Sequence, residues 1–561
     1  MSEFYKLDGN AKQQLDQLSL RLGRLIEGAV LYHSLIQPGR TLRYKIYMGE
    51  KWQYPRLTDT STLNGILTEE VGLEPIAEFA ATSTVQPSST FSPHYFAGDT
   101  QIVDHGVRYI LLTPDDATDE DVEADHPVDS RKVRIYKKCE RTAPVAFDFV
   151  REAMRLERES HGRKNIPAYE PDTVDTVNAS GKTHHPWVEV HPGATRHHAS
   201  KAVIIAMHWL QAGGAERWGM ETIRLVREAG FTPIVITDRD SHQPWITSTD
   251  LDGAIVMPLT HPLQERVGDV PILRALFEQF DIRGVLIHHC QWMYDRAWWV
   301  KRYYPQTRIV DSLHIVEYVM QGGYPRESVA RDEWIDLHHV ISPQLERWMV
   351  ETHHIAPDKV VDAPLVGLTT DMVTPQYKQR RDNERLTVAF VGRMSRQKRP
   401  EAFILVAKAL AKTDGFRFIM HGSGEMDGFV DGLIKRYGLQ DVVERRSMDM
   451  PVSETYQDSD VLLVSSINEG ITLTSIEAIT AGIPVLSANV GSQDTLIPPQ
   501  GLLRRMTAEF VRDAKRSLIH ILEREDDRKK LWETEWKRLH AFSAKTSANE
   551  YFKHMLNEWS K

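Results

Sequence analysis

The sequence is poor in cysteine, has no excess of positive charge and contains no long apolar run. Only two of its 561 residues are cysteines, Cys139 and Cys290, which excludes a disulfide framework and a cysteine-based zinc site. Its 68 basic and 78 acidic side chains give a net charge of −10, so we expect no nucleic-acid partner for the molecule as a whole. The longest apolar run, Ala202–Leu210, is far shorter than the roughly 20 residues of a membrane span.

The composition is that of a globular protein, with 41% apolar and 26% charged residues. The segment Met1–Lys6 lacks the basic and then apolar build of a signal peptide. We therefore expect a cytoplasmic protein, with peripheral contact at the inner face of the membrane left open.

The first 198 residues have a mixed pattern. A helical stripe of leucines runs through the segment 10–36, and strand-like runs follow at Leu42–Met48 and Arg108–Leu112. These runs predict an accessory mixed α/β domain over residues 1–158. Glu159–His198 is rich in Pro, His, Asp and Thr, and it is predicted to be a linker over residues 159–198.

From Lys201 onward, short apolar runs alternate strictly with helical patterns, which predicts an α/β fold of parallel strands joined by crossover helices. The alternation stops at the polar stretch Gln376–Arg385 and then starts again. We therefore predict two Rossmann-like doubly wound domains, at residues 199–370 and 384–540, with a C-terminal helix over 541–561. The predicted strands are Val203–Met207, Thr232–Thr237, Ala254–Leu259, Gly284–Ile287, Arg308–Leu313, Leu386–Val391, Phe416–Met420, Val442–Arg445, Val461–Ser465 and Pro484–Ser487. A ligand is expected in the cleft between the two domains.

Two loops that follow strands could bind a diphosphate. Gly213 and Gly214 lie directly before a helix, where backbone amides and the helix dipole favour an anion, although a plain tight turn has the same sequence. The stretch from Gly392 to Arg399 contains four cations, among them Arg393 and Lys398, and such a cluster suits a diphosphate, although a solvated basic loop has the same composition.

A third motif begins where the strand ending at Ser465 meets the next helix. Glu469 lies at the mouth of this helix and Glu477 lies eight positions further on, so both carboxylates can face one cleft. The amides of Ile471, Thr472 and Leu473 start the helix and can bind phosphate oxygens.

Taken in order, these motifs resemble the retaining glycosyltransferases of family 4, which have the GT-B fold. The basic loop resembles the family's diphosphate loop, Glu469…Glu477 resembles its E-x(7)-E signature, and Gly213–Gly214 resembles its first glycine loop. The resemblance covers about residues 199–497, and residues 1–198 have no counterpart.

The resemblance implies roles for individual residues. Arg393 and Lys398 would hold the donor diphosphate and stabilise the leaving group, Glu477 would bind the donor ribose, and Glu469 would contact the transferred sugar. His314, at the end of a predicted strand, is similar to the family's histidine near the reacting sugar. The catalytic set would be His314, Glu469, Arg393 and Lys398. Donor binding would add Gly213, Gly214, Ile471, Thr472, Leu473 and Glu477.

Several other signals are interpreted as structural. The Asp-x-Asp strings at Asp238, Asp250 and Asp458 are common in an acidic chain, and His-His pairs point to opposite faces of a strand, so no metal site is expected. The aromatic and basic stretch Trp292–Tyr304 fits core packing better than an interfacial or acceptor-facing helix.

Together with these observations, the resemblance implies a metal-independent retaining hexosyltransferase without a cofactor. Its partners would be a nucleotide-diphosphate sugar, which we expect to be UDP-linked, and a glycan, polymer-precursor or lipid-linked acceptor. The alternatives are a sugar-nucleotide epimerase or phosphorylase on the same fold, and a non-catalytic glycan- or nucleotide-binding protein. Residues 1–158 would either select the acceptor or mediate homo-oligomer formation, or else act as a stabilising cap on the first Rossmann-like domain.

Overall fold

A computed structural model describes residues 3–58, 74–86, 106–119, 121–122, scattered positions between 135 and 157, 166–171, 193–260, 270–317, 322–365, 375–380 and 384–561. The N-terminal part forms a four-stranded sheet in the order β1-β3-β2-β4. Its strands are β1 (Tyr5–Leu7), β2 (Thr41–Met48), β3 (Ala77–Ser83) and β4 (Val107–Leu112), and its helices are Ala11–Leu15 and Leu20–Ile36. The predicted helical stripe is thus interrupted. Ser19 caps the longer helix by accepting a hydrogen bond from the amide of Leu22.

The second sheet is parallel and has seven strands in the order β11-β10-β9-β8-β5-β6-β7. Its strands are β5 (Lys201–Met207), β6 (Thr232–Thr237), β7 (Ile255–Pro258), β8 (Asp281–His288), β9 (Arg308–Leu313), β10 (Leu337–Val340) and β11 (Val360–Asp362). The connecting helices are Gly214–Glu228, Val270–Gln279, Gln291–Tyr294, Ala297–Tyr303, Tyr324–Ala330 and Pro343–Arg347.

The third sheet is also parallel, with six strands in the order β14-β13-β12-β15-β16-β17. Its strands are β12 (Leu386–Val391), β13 (Phe416–His421), β14 (Val443–Arg446), β15 (Val461–Val464), β16 (Val485–Ala488) and β17 (Leu502–Leu503). Its helices are Pro400–Leu410, Asp427–Tyr437, Val452–Asp458, Leu473–Thr480 and Gln493–Leu496, followed by Thr507–Glu523, Glu525–Ser543 and Ala548–Ser560. The expected α/β class with two Rossmann-like domains, the GT-B architecture, is confirmed.

The N-terminal part does not stand apart from the first Rossmann-like domain. The helix Leu20–Ile36 packs against β7, and residues of both parts belong to one hydrophobic core. Arg21 donates to the carbonyl of His242 at 2.9 Å, and Arg24 donates to that of Ile246 at 2.7 Å. A shared core of this kind is what we expect if the N-terminal part is a stabilising cap on the first Rossmann-like domain.

Two further segments tie the chain together. In the predicted linker, residues 166–171 are described, and the amide of Tyr169 donates to the carbonyl of Ala330 at 2.7 Å. The C-terminal helix Ala548–Ser560 returns to the first Rossmann-like domain, where Phe552 packs edge-on against Trp218. Among the described residues, no helix combines the length and the hydropathy needed to cross a bilayer.

Candidate functional site

The basic loop after β12 contains cations with different surroundings. Arg399 is buried, donates through Nε to the carbonyl of Ser465 and through Nη1 to that of Arg505, both at 2.7 Å, and so fixes the loop rather than facing the cleft. Arg393 is exposed, and no ion pair joins it to any carboxylate in the part of the chain that the structure describes. Arg393 is therefore available to an anionic ligand, whereas Arg399 has a structural role that the sequence pattern concealed.

Lys398 and Glu469 form an ion pair, with Lys398 Nζ 2.6 Å from Glu469 Oε1. Glu469 is only 6% exposed, and a buried carboxylate needs such a partner. The structure thus brings together the predicted cation of the basic loop and the predicted carboxylate at the helix mouth, which are 71 residues apart in sequence.

The helix Leu473–Thr480 begins directly after the Glu469–Gly470 turn. Within the described ranges, the amides of Ile471, Thr472 and Leu473 donate to no protein acceptor, so they stay available for anion binding. Gln493 braces this mouth, because its Nε2 donates to the carbonyl of Gly470 at 3.1 Å.

Glu477 lies on the same helix and is half-buried. Its Oε2 accepts a hydrogen bond from the hydroxyl of Tyr456 at 2.8 Å. Burial raises the pKa of Tyr456, and the charge of Glu477 raises it further, so Tyr456 remains a donor. Tyr456 orients the carboxylate and was not singled out from the sequence, because a lone tyrosine in a helix carries no signal of its own.

His314 follows β9 and lies where the two Rossmann-like domains meet. A β-carbon on Gly470 would lie 2.5 Å from the carbonyl oxygen of His314, so the turn approaches this strand end as closely as glycine allows. Nearby, Asn468 donates to the carbonyl of Val316 at 2.8 Å. The backbone of His314 therefore lies against the turn that carries Glu469.

The glycine loop after β5 lies opposite the helix mouth. A β-carbon on Gly214 would lie 3.7 Å from Leu473 Cδ1, while one on Gly213 would lie 2.0 Å from Glu216 Oε2. A side chain at position 213 would therefore displace the carboxylate of Glu216. That carboxylate accepts hydrogen bonds from Trp209 Nε1 at 2.7 Å and pairs with His208 Nε2 at 2.9 Å.

The electrostatics of Glu216 follow from these contacts. Burial alone would raise its pKa, but the hydrogen bonds from His208 and Trp209 outweigh burial and hold the pKa at about 2. The sequence analysis did not single out Glu216 or His208. Their eight-residue spacing across a strand-to-helix turn was the available signal.

Histidines gather at the carboxyl edge of the first parallel sheet. The ring of His289 lies 5.1 Å from that of His314 and 5.8 Å from that of His208. Burial lowers the pKa of His289 to about 3 and that of His288 to about 3, and it lowers the pKa of His314 as well. The rings of His288, His289 and His314 are therefore neutral hydrogen-bonding groups at pH 7.

The aspartates of the Asp-x-Asp strings make contacts that hold neighbouring parts of the fold together. Asp238 accepts from the amide of Trp292 at 2.8 Å, Asp252 pairs with Arg24, and Asp458 pairs with Arg446. Among the described residues, no group of three or more His, Cys, Asp or Glu side chains could hold a metal ion. The aromatic stretch after Cys290 forms two short helices instead of one, and Trp292 and Trp299 are buried as core residues.

Comparison with known proteins gives a match to one family model. Residues 375–535, most of the second Rossmann-like domain, match the family described as glycosyl transferases group 1.

The chain is similar to D-inositol 3-phosphate glycosyltransferases. The protein of Corynebacterium aurimucosum is 24% identical over 38% of this chain and 57% of its own length. The protein of Mycobacterium leprae is 26% identical over 37% of this chain and 53% of its own length. The chain thus spans about half the length of the curated relatives that it matches.

Solved structures with similar folds include the sucrose-phosphate synthase of Thermosynechococcus elongatus. It is 18% identical, with 64% of this chain and 98% of that chain covered and a TM-score of 0.49. HepE of Anabaena in complex with UDP-glucose is 14% identical over 64% of this chain and 98% of that chain, with a TM-score of 0.48.

Proposed function

We propose that the chain is a retaining glycosyltransferase that moves a sugar from a nucleotide-diphosphate sugar, UDP-linked, to a glycan, polymer-precursor or lipid-linked acceptor. The observation that carries the proposal is the convergence of Lys398, Glu469, His314 and the open amides after Gly470 at one interdomain cleft. The family of the second domain supports the reaction class.

The departing diphosphate would be neutralised by the protein itself. Arg393 and Lys398 supply positive charge, and the amides of Ile471, Thr472 and Leu473 supply donors at the positive end of a helix dipole. Because these groups can stabilise the leaving group without a cation, we propose that transfer needs neither a metal nor a cofactor.

The same cleft would hold the sugar and the acceptor. Glu469, in the turn that approaches the carbonyl of His314, would contact hydroxyls of the transferred sugar. Glu477, oriented by Tyr456, would accept a hydrogen bond from the donor ribose. We place the reaction in the cytoplasm, with peripheral membrane contact when the acceptor is lipid-linked, and self-association remains open to test.

A thermal-unfolding screen against UDP, GDP, ADP and their sugars tests donor binding, since a ligand of the folded state raises the unfolding temperature. A UDP-sugar is expected to give the largest shift, and the shift should persist in EDTA. A shift that appears only with added manganese or magnesium would refute the metal-free proposal. A separate product analysis distinguishes the alternative enzyme class. Conversion of the nucleotide sugar without release of the nucleoside diphosphate would favour an epimerase.

A further inference from the structure

A carboxylate of the N-terminal part reaches the loops that follow β5 and β6 of the first Rossmann-like domain. Asp119 comes after β4 in the chain and is half-buried. Its Oδ1 accepts a hydrogen bond from the amide of His242 at 2.9 Å and one from the hydroxyl of Ser241 at 3.4 Å. Its Oδ2 accepts one from Gln211 Nε2 at 3.0 Å. One side chain thus joins two loops at the carboxyl edge of the sheet, where the cleft lies.

The contact with Gln211 holds the glycine loop in place. Within the described residues, no backbone hydrogen bond fixes Gln211 or Ala212, whereas the carbonyls of Leu210 and Gly213 on either side both accept one. The side chain of Gln211 therefore supplies the tie at the point of the loop that lacks a backbone one, and Asp119 is the group to which it is tied.

The glycine loop faces the second Rossmann-like domain. A β-carbon on Gly214 would lie 3.7 Å from Leu473 Cδ1, at the helix mouth whose amides are available to an anion. The position of the loop therefore sets the width of the cleft at this place. Because a misplacement of about 1 Å can cost about a hundredfold in rate, a loop at a reacting centre needs a firm anchor.

The turn that carries Asp119 is itself fixed. The amide and the hydroxyl of Thr118 donate to Asp121 Oδ2 at 2.7 and 2.9 Å. Nearby, Arg21 donates to the carbonyl of Thr113 at 2.9 Å, at the end of β4. A carboxylate on a turn held in this way can keep its partner within the narrow tolerance that a reaction geometry requires.

We propose that Asp119 is a positioning residue for the transfer reaction, which it serves by fastening the glycine loop through Gln211. The proposal rests on the proposed function. Residues 1–198 have no counterpart in the family resemblance, so this anchor is particular to this chain. The effect should fall on the rate rather than on UDP binding, because Arg393 and Lys398, expected to hold the diphosphate, lie on the second domain.

Rates of UDP release by the full chain test this role, with UDP-glucose, UDP-galactose and UDP-N-acetylglucosamine as donors. Asp119→Leu should lower kcat at least about tenfold and leave the calorimetric affinity for UDP unchanged. Asp116→Leu is the matched control, because this exposed aspartate pairs with Lys51 inside the N-terminal part. Equal kcat in folded Asp119→Leu and Asp116→Leu proteins would overturn the proposal.

An exchange of partners separates positioning from a loss of stability. Gln211→Glu sets two carboxylates against one another and should also lower kcat at least about tenfold. Asp119→Asn should keep most of the rate, because the amide of Gln211 can turn and accept. The double variant Asp119→Asn/Gln211→Glu pairs a donor with a carboxylate again and should recover most of the rate. A double variant no faster than Gln211→Glu would refute the pairing.

Hydrogen exchange distinguishes failure of this inference from failure of the proposed function. Amides of residues 208–216 should exchange faster in Asp119→Leu than in the wild type and in Asp116→Leu. A wild type that turns over none of the three donors overturns the proposed function, and the exchange rates then still decide whether Asp119 holds the loop. Equal exchange in all three proteins would overturn the anchor whatever the activity.

Discussion

At the scale of single residues, Gly470 sets how closely the two domains approach. A β-carbon there would lie 2.5 Å from the carbonyl oxygen of His314. Because both the turn and the end of β9 are backbone, one of them would have to shift to make room for the methyl group. Gly470→Ala should therefore hold the cleft open and lower sugar transfer at least about tenfold, because small misplacements at a reacting centre are costly. Donor-binding calorimetry and a transfer assay on the same protein measure the two effects separately.

Gly428 provides the matched control for this change. It lies in the helix Asp427–Tyr437, and a β-carbon there would meet no atom within 4 Å. Gly428→Ala should raise stability by about 0.5–1 kcal/mol and leave transfer unchanged. Wild-type transfer rates in Gly470→Ala would show that the close approach is not needed.

Arg393 and Lys398 should both bind the donor diphosphate, but only Lys398 also supports the fold. Either change to Ala should weaken UDP binding by about 1.5–3 kcal/mol. Lys398→Ala should in addition lower the free energy of unfolding by about 1–3 kcal/mol, because it leaves buried Glu469 without its partner at 2.6 Å.

Calorimetric titration with UDP measures donor binding, and a separate urea-unfolding experiment measures the loss of stability expected only for Lys398→Ala. Binding of uridine, which lacks the diphosphate, serves as the control. Unchanged UDP affinity in both variants would refute the assignment of the basic loop.

At the scale of elements, β9 and β10 are joined by a buried ionic contact. His338 Nδ1 lies 2.9 Å from Asp311 Oδ1 on the neighbouring strand, and its Nε2 lies 3.0 Å from Asp332. Burial alone would lower the pKa of His338, but the two carboxylates outweigh burial and raise it to about 9.

This contact predicts a pH dependence of stability. Because the pKa of folded His338, about 9, exceeds its ordinary 6.5, its contribution is complete below pH 6.5 and is lost as the pH rises through 9. Urea unfolding at pH 6.5 and pH 9 should show this loss in the wild type and a smaller one in His338→Gln. The exposed His554→Gln is the control. Equal losses in all three proteins would contradict the prediction.

Regular elements and their order were predictable because buried parallel strands are continuous apolar runs. β6, β9 and β12 have the predicted bounds. The short strands β10, β11 and β17 were missed, since β10 contains two histidines whose burial depends on partners from other elements. The site was predictable where a motif is contiguous, as in Glu469–Glu477, and not where long-range contacts define it, as for Arg399 and Tyr456.

At the scale of the whole molecule, the N-terminal part is expected to act as a cap. Gly28 on the helix Leu20–Ile36 has no room for a β-carbon, which would lie 2.7 Å from the carbonyl oxygen of Val256, whereas Gly23 on the same helix has open space. Gly28→Ala should lower the free energy of unfolding by about 1–3 kcal/mol, and Gly23→Ala should raise it by about 0.5–1 kcal/mol. Urea unfolding of the two variants measures both.

Removal of residues before Ala194 extends this test. Because the two parts share one core, the shortened chain should aggregate or lose donor binding. A shortened chain that is monodisperse, binds UDP and has lost only acceptor transfer would support a separate acceptor-selecting domain instead.

Donor turnover by the full chain tests the central claim most directly. Nucleoside diphosphate release and the anomeric configuration of the freed or transferred sugar can be followed by NMR for UDP-, GDP- and ADP-sugars, with Lys398→Ala and Gly428→Ala alongside. We predict that the wild type and Gly428→Ala release UDP in the presence of EDTA with retention at the anomeric carbon, and that Lys398→Ala is strongly impaired. Absence of diphosphate release from every nucleotide sugar, or equal release by Lys398→Ala, would contradict the account.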